Sequence, residues 1–94
     1  MIDTYSAMIL AIIKGQEAII GPIAWEQALG VAGLKLDKVN AAVVVTSQDQ
    51  KHVVDELVLK FRDFFGQAAI EVCKEAARKV SKDMTSEQIP ESLQ

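Results

Sequence analysis

Residues 47–80 read SQDQKHVVDELVLKFRDFFGQAAIEVCKEAARKV. Val54, Leu57, Val58, Phe61, Phe64 and Phe65 recur at spacings of three and four, which lays them along one stripe of an α-helix. Three of the five aromatic residues in the chain lie on this stripe, so no other stretch offers a core as much apolar surface. Burying six such side chains contributes on the order of 10–15 kcal/mol gross, before chain entropy is subtracted. Ser47 and Gln50 have the spacing of a capping box and predict the helix start. Gly66 predicts a kink or tight turn. A second pattern then carries Ala69, Val72, Cys73, Ala76 and Val80 on one face, with Glu71, Lys74, Glu75, Arg78 and Lys79 on the wet side. Small residues dominate the apolar face, so its partner helix can come close.

Just before this stretch, Val43, Val44, Val45 and Thr46 are four successive β-branched residues, which favour an extended conformation over residues 42–46. A lone strand leaves its backbone groups unpaired. Leu34 to Leu36 within the chain, or a symmetry-related copy, are the available partners.

Further upstream, Asp3 or Thr4 can cap a first helix. Tyr5, Ile9, Ile12, Ile13, Ile19 and Ile20 share a broad face with Gln16 in its middle, and Ala7, Ala11, Lys14 and Ala18 lie opposite. Gly21-Pro22 breaks or kinks this helix, because proline lacks the N–H and clashes with the preceding turn. A short helix follows with Ile23, Ala24, Gln27, Ala28 and Val31 on one face, ending at Gly30 or Gly33. Trp25 points away from that face, as a second contact surface or a lid. Gln16 and Gln27 stand on apolar faces, where a buried amide needs hydrogen-bond partners. Rotation of one or both to solvent by the kink is the ordinary account.

The fold expected is mainly α: a small bundle of four helical segments with a kinked N-terminal helix pair and one short extended stretch. One helical domain is expected over residues 1–82. Residues 83–94 are polar and contain Pro90, and read as a disordered tail in which Met84, Ile89 and Leu93 offer only a weak anchor.

Ninety-four residues limit the chain to one domain, and half of them are apolar, so a small core needs no staples. The net charge of −3 argues against a nucleic-acid partner, which calls for a basic patch. The apolar run 8–13 is cut short by Lys14, Gln16 and Glu17 and cannot span a bilayer, which needs roughly 20 apolar residues. No basic segment precedes it, so a signal peptide is not expected. The single cysteine excludes an internal disulfide and fits a reducing, cytoplasmic setting.

His52 is the only histidine and lies off the apolar stripe, beside Lys51 and Asp55, as a surface residue. Cys73 sits mid-helix among Val72 and Ala76 and reads as a buried small hydrophobe rather than a nucleophile. No His-Glu-x-x-His, Cys-x-x-Cys or calcium-loop pattern is present, and Gly30-Val31-Ala32-Gly33 lacks the Lys-Ser/Thr of a phosphate loop. No catalytic residue, metal ligand or cofactor is therefore assigned. The function expected is a non-enzymatic interaction or regulatory module that forms a homodimer or higher homo-oligomer through apolar helix faces, with another protein as a possible partner. Tyr5, Ile9, Ile12, Gln16, Ile19 and Trp25 are its candidate interface. The alternative is a binding module that encloses an apolar ligand or cofactor between the kinked helix and Phe61–Phe65; a small enzyme ranks below both.

Overall fold

The computed structural model describes residues 4–37, 39–40, 42–80, 82, 84, 87–90 and 93. In chain order the elements are α1 (Thr4–Ile20), α2 (Ile23–Leu29), β1 (Leu34–Asp37), β2 (Ala42–Val45), α3 (Gln50–Phe65) and α4 (Gln67–Arg78). Among the described residues the protein is thus mainly α, with four helices and one two-stranded antiparallel sheet.

Helix α1 is apolar around most of its circumference. Met8, Ile9, Ile12 and Ile13 are completely buried, and α2, β2, α3 and α4 all pack on it. The helix stops where Gly21 turns into the left-handed region, with its N–H on the Glu17 carbonyl, and α2 begins after Pro22. The buried side of α2 is Ala24, Trp25 and Ala28. It is rotated from the face expected through Ile23 and Gln27, because Trp25 folds back over the bend. Its Nε1 donates to Glu17 Oε2 at 2.8 Å, which ties α2 to α1. Gly33 then makes the turn into β1 with φ +83°, and a Cβ there would lie 2.8 Å from Ser47 Cβ. Conformation and crowding both select glycine at this position.

The extended run finds its partner inside the chain. Leu34 pairs with Val45, Lys35 with Val44, Leu36 with Val43 and Asp37 with Ala42. Leu36, Val43 and Val45 turn toward the core and pack on it beside buried Leu34, while Lys35, Asp37 and Val44 face outward. A second copy is not needed to satisfy this strand. In the connecting loop Asn40 donates its backbone N–H and its side-chain amide to the two carboxylate oxygens of Asp37, at 3.2 and 2.7 Å. These bonds, the side-chain one foremost, hold the Asp37 carboxyl below its ordinary value.

Helix α3 is capped two residues beyond Ser47. Asp49, not Ser47, is the N-cap; its carboxylate accepts from the His52 N–H at 3.1 Å. Ser47 Oγ instead accepts from the Asp49 N–H and shapes the preceding turn. Val53, Val54, Leu57, Val58 and Phe61 are buried as a stripe. Phe64, assigned to that stripe, is 50% exposed, because α3 outruns the core in its last turn. Gly66, at φ +86°, then reverses the chain into α4. Ala69, Ile70, Cys73 and Ala77 are the buried side of α4, and Val72, Ala76 and Val80 stand half-buried beside it.

Asp3 lies outside the described residues, as do tail positions 83, 85–86, 91–92 and 94. The described tail residues make contacts with the body. Tyr5 Oη donates to the Gln88 carbonyl at 2.7 Å, Lys51 Nζ donates to the Glu87 carbonyl at 2.6 Å, Pro90 is fully buried, and Met84 and Leu93 pack against the core. These two hydrogen bonds are accepted by main-chain carbonyls, which every residue carries, so composition holds no mark of them.

Phe61 has no exposed surface and lies at the centre of the α3 stripe. Phe61→Ala is expected to destabilise the fold by about 3–5 kcal/mol, the cost of an aromatic-sized cavity. Chemical denaturation giving a loss under about 1 kcal/mol would place the core elsewhere.

Candidate functional site

The side chains expected to form one outward apolar face are divided by the fold. Ile9 and Ile12 are wholly buried, Gln16 is 2% exposed and Trp25 4%. All four are covered by this chain's own elements and offer no free surface. Tyr5 is half-buried and bonded to the tail. Of the six, Ile19 alone stands well into solvent, at 66%.

Gln16 is held inside rather than rotated out. Its Nε2 donates to the Ala69 carbonyl at 3.0 Å and to Cys73 Sγ at 3.4 Å. Gly15 next to it faces Ala76 and Val72: a Cβ added there would meet Ala76 Cβ at 3.4 Å and Val72 Cγ1 at 3.5 Å. As the α1 number falls the α4 number rises, so the two helices run antiparallel. Their meeting surface is small on both sides, which lets the backbones approach.

Small residues also leave space on the outer side of this seam. A groove of about 570 Å³ opens there, with Ala11, Gly15, Val72 and Ala76 along it and Lys14, Glu71, Glu75 and Lys79 around it. Ile19, one turn on from Gly15, continues the same side of α1. Glu71 and Glu75 make exposed i,i+3 ion pairs with Lys74 and Arg78, at 4.0 and 2.9 Å. Such exposed pairs contribute little and exchange partners readily. Lys14 has no ion pair among the described residues. Two smaller cavities lie on other sides, one by Trp25, Leu29 and Leu36 and one by Gln27, Lys60 and Phe64. Between the kinked pair and α3, Phe61 has no exposed surface, and the cavity on that side is the one lined by Gln27, Lys60, Asp63 and Phe64.

Of the row Ala7, Ala11, Lys14 and Ala18, a face with no large apolar side chain, Ala11 and Lys14 line the groove. On its own such a row fits exposed alanines of high helix propensity equally well. Only the position of α4 separates the two readings.

His52 is exposed in the first turn of α3, with Nε2 3.5 Å from Glu56 Oε1. Among the described residues no group of three or more His, Cys, Asp or Glu side chains is placed to hold a metal ion, and no helix is long and apolar enough to cross a membrane. Comparisons with protein-family models, with curated proteins and with solved structures return no match.

Cys73 is buried, and loss of solvation pushes its thiol up to about 11 from an ordinary 9.0, against a smaller opposing effect of the Gln16 hydrogen bond. The folded chain therefore holds this proton more tightly than the unfolded one. Below pH 9 both states keep it. Above that the unfolded thiol ionises first, and stability falls until both states are ionised beyond pH 11. The loss is on the order of 2–3 kcal/mol. Denaturation of the parent and of Cys73→Ala across this window should show the parent losing more; parallel pH profiles would place Cys73 in contact with water.

Proposed function

We propose that this chain is a non-enzymatic interaction module that pairs with a second copy of itself through the α1–α4 face. The observation that carries the proposal is the groove between these helices, apolar along its length and bordered by charges of both signs. Because α1 and α4 are antiparallel, Lys14 stands at the level of Glu71 and Glu75 across the groove. A two-fold axis running along the groove, parallel to the helices, lays α1 of each copy over α4 of the other. Lys14 of one copy then meets Glu71 and Glu75 of its mate, and the same pairing repeats on the other side of the axis. Ile19 extends the contact with apolar surface that is otherwise left in water. The small residues of the floor allow the four helices to pack closely, as bundle helices do.

The groove volume also falls in the range of small-molecule sites, roughly 300–1,000 Å³. That supports the second reading, an apolar-ligand module. Native mass spectrometry separates the two: pairing gives twice the 10.3 kDa chain mass, and a ligand site gives one chain plus a small adduct.

The charge pattern supplies a sharper test. Lys14→Glu should turn each attraction into repulsion and shift the protein to monomer in sedimentation equilibrium at up to about 100 µM. Adding Glu71→Lys and Glu75→Lys to that variant restores opposite signs and should restore the dimer. Circular dichroism verifies that each variant is folded. A parent that sediments as a single chain, or a triple variant that stays monomeric while folded, sinks the proposal.

A further inference from the structure

We infer that the outer edge of β1 pairs with the same edge of a second copy, antiparallel and with Leu36 opposite Leu36, joining two hairpins into a four-stranded sheet. Among the described residues the sheet has two strands, so β1 has a neighbouring strand on one side only. The register settles which backbone groups are left over. The Thr46 N–H donates to the Gly33 carbonyl at 2.7 Å, and these residues stand opposite each other where the β1–β2 register continues. Hydrogen-bonded and non-bonded pairs alternate along an antiparallel ladder. Lys35–Val44 and Asp37–Ala42 are therefore bonded pairs, and the N–H and C=O of Leu34 and Leu36 point away from β2, toward the outer edge. At Leu36 that edge borders open space, a cavity of about 220 Å³ lined also by Pro22, Trp25, Glu26 and Leu29.

The side chains select the occupant. Lys35 and Asp37 both face outward and flank Leu36. An antiparallel neighbour that complements them carries a basic residue opposite Asp37, an aliphatic one opposite Leu36 and an acidic one opposite Lys35. Read in its own direction that segment is Lys-Leu-Asp, the sequence of β1 itself. A two-fold axis at Leu36 meets each condition twice. The two Leu36 residues exchange N–H···O=C bonds, and each Lys35 faces Asp37 of the mate across a non-bonded pair, where side chains stand closest. Lys35 has no ion pair among the described residues. Asn40 donates to both carboxylate oxygens of Asp37, which fixes the carboxylate in place and leaves lone pairs for an ammonium group. An axis at Lys35 or at Asp37 instead sets like charges opposite each other, and one at Leu34 forms no ion pair. Charges on an edge strand ordinarily keep other strands off. Opposite signs flanking one residue make this edge selective for its own copy.

None of these residues belongs to the α1–α4 groove, so this contact stands or falls separately from the pairing proposed there. A four-residue edge is a small interface, and its pairing is sought at about 1 mM, above the range used for the other contact. The Leu36 amide reports on it directly, because the α1–α4 contact does not touch it. Its hydrogen exchange, followed by NMR, should slow about twofold between about 50 µM and about 1 mM, in the parent and in Lys14→Glu alike. Lys35→Asp and Asp37→Lys each set like charges across the axis and should abolish the slowing. Mixed in equal amounts, these two variants complement each other and should regain it. The double variant complements itself and should keep it. Circular dichroism verifies that each variant is folded. A Leu36 exchange rate independent of concentration in the parent, or a mixture that behaves as its two components do apart, overturns the inference.

Discussion

Met8, Ile9, Ile12 and Ile13 place large aliphatic side chains over one broad arc of α1, and all four are removed from water. An apolar arc that wide must be covered by more than one neighbour. That requirement arranges the chain: α2 folds back along α1 after Gly21-Pro22, β2 lies on it, and α3 and α4 close the remaining sides. The aromatic stripe of α3 supplies much of the core volume, but it faces one direction. It therefore fills a space that α1 defines.

Fixing where each neighbour sits takes directional bonds, since dispersion and hydrophobic burial do not distinguish one register from the next. Gln16 provides one. Its amide is the largest polar side chain in the core, and the carbonyl of Ala69 is its best-placed acceptor, at 3.0 Å. Moving α4 off this contact leaves that amide unpaired in an apolar setting, at a cost of about 1–3 kcal/mol. The Trp25–Glu17 bond does the same for α2. Both are polar groups at places where burial alone leaves a choice.

This division explains what could be read before the fold was known. Val54, Leu57, Val58 and Phe61 were legible because a 3.6-residue period is a property of one element. Residues 42–45 were legible as extended because β-branching acts locally on the backbone. The burial of Gln16 and the side of α2 that Trp25 takes were not legible, because the acceptor of each is supplied from elsewhere: Ala69 is 53 residues from Gln16. The contact between α1 and the tail was not legible for a related reason. Tyr5 and Gln88 are 83 positions apart, and the bond between them uses a carbonyl that carries no sequence signature. At the candidate groove the small residues were visible, and their meaning was not, since an alanine row looks the same under a neighbouring helix and under water.

The groove follows from the same constraint that builds the core. The sides of α1 bearing isoleucine and methionine are the ones that had to be covered. The side bearing Ala11, Lys14, Gly15 and Ala18 carries too little apolar surface to draw in another element of this chain, and α4 covers only its edge. Small side chains make that side cheap to leave in water and also make it the place where another backbone can come nearest. A large apolar patch would have committed the chain to aggregation or to an obligate partner. A small-residue face bordered by separable charges instead permits an association that is weak, orientation-dependent and responsive to salt, because its specificity resides in exposed ion pairs. The exposed Ile19 at the end of the groove adds the apolar contact that charges alone do not provide.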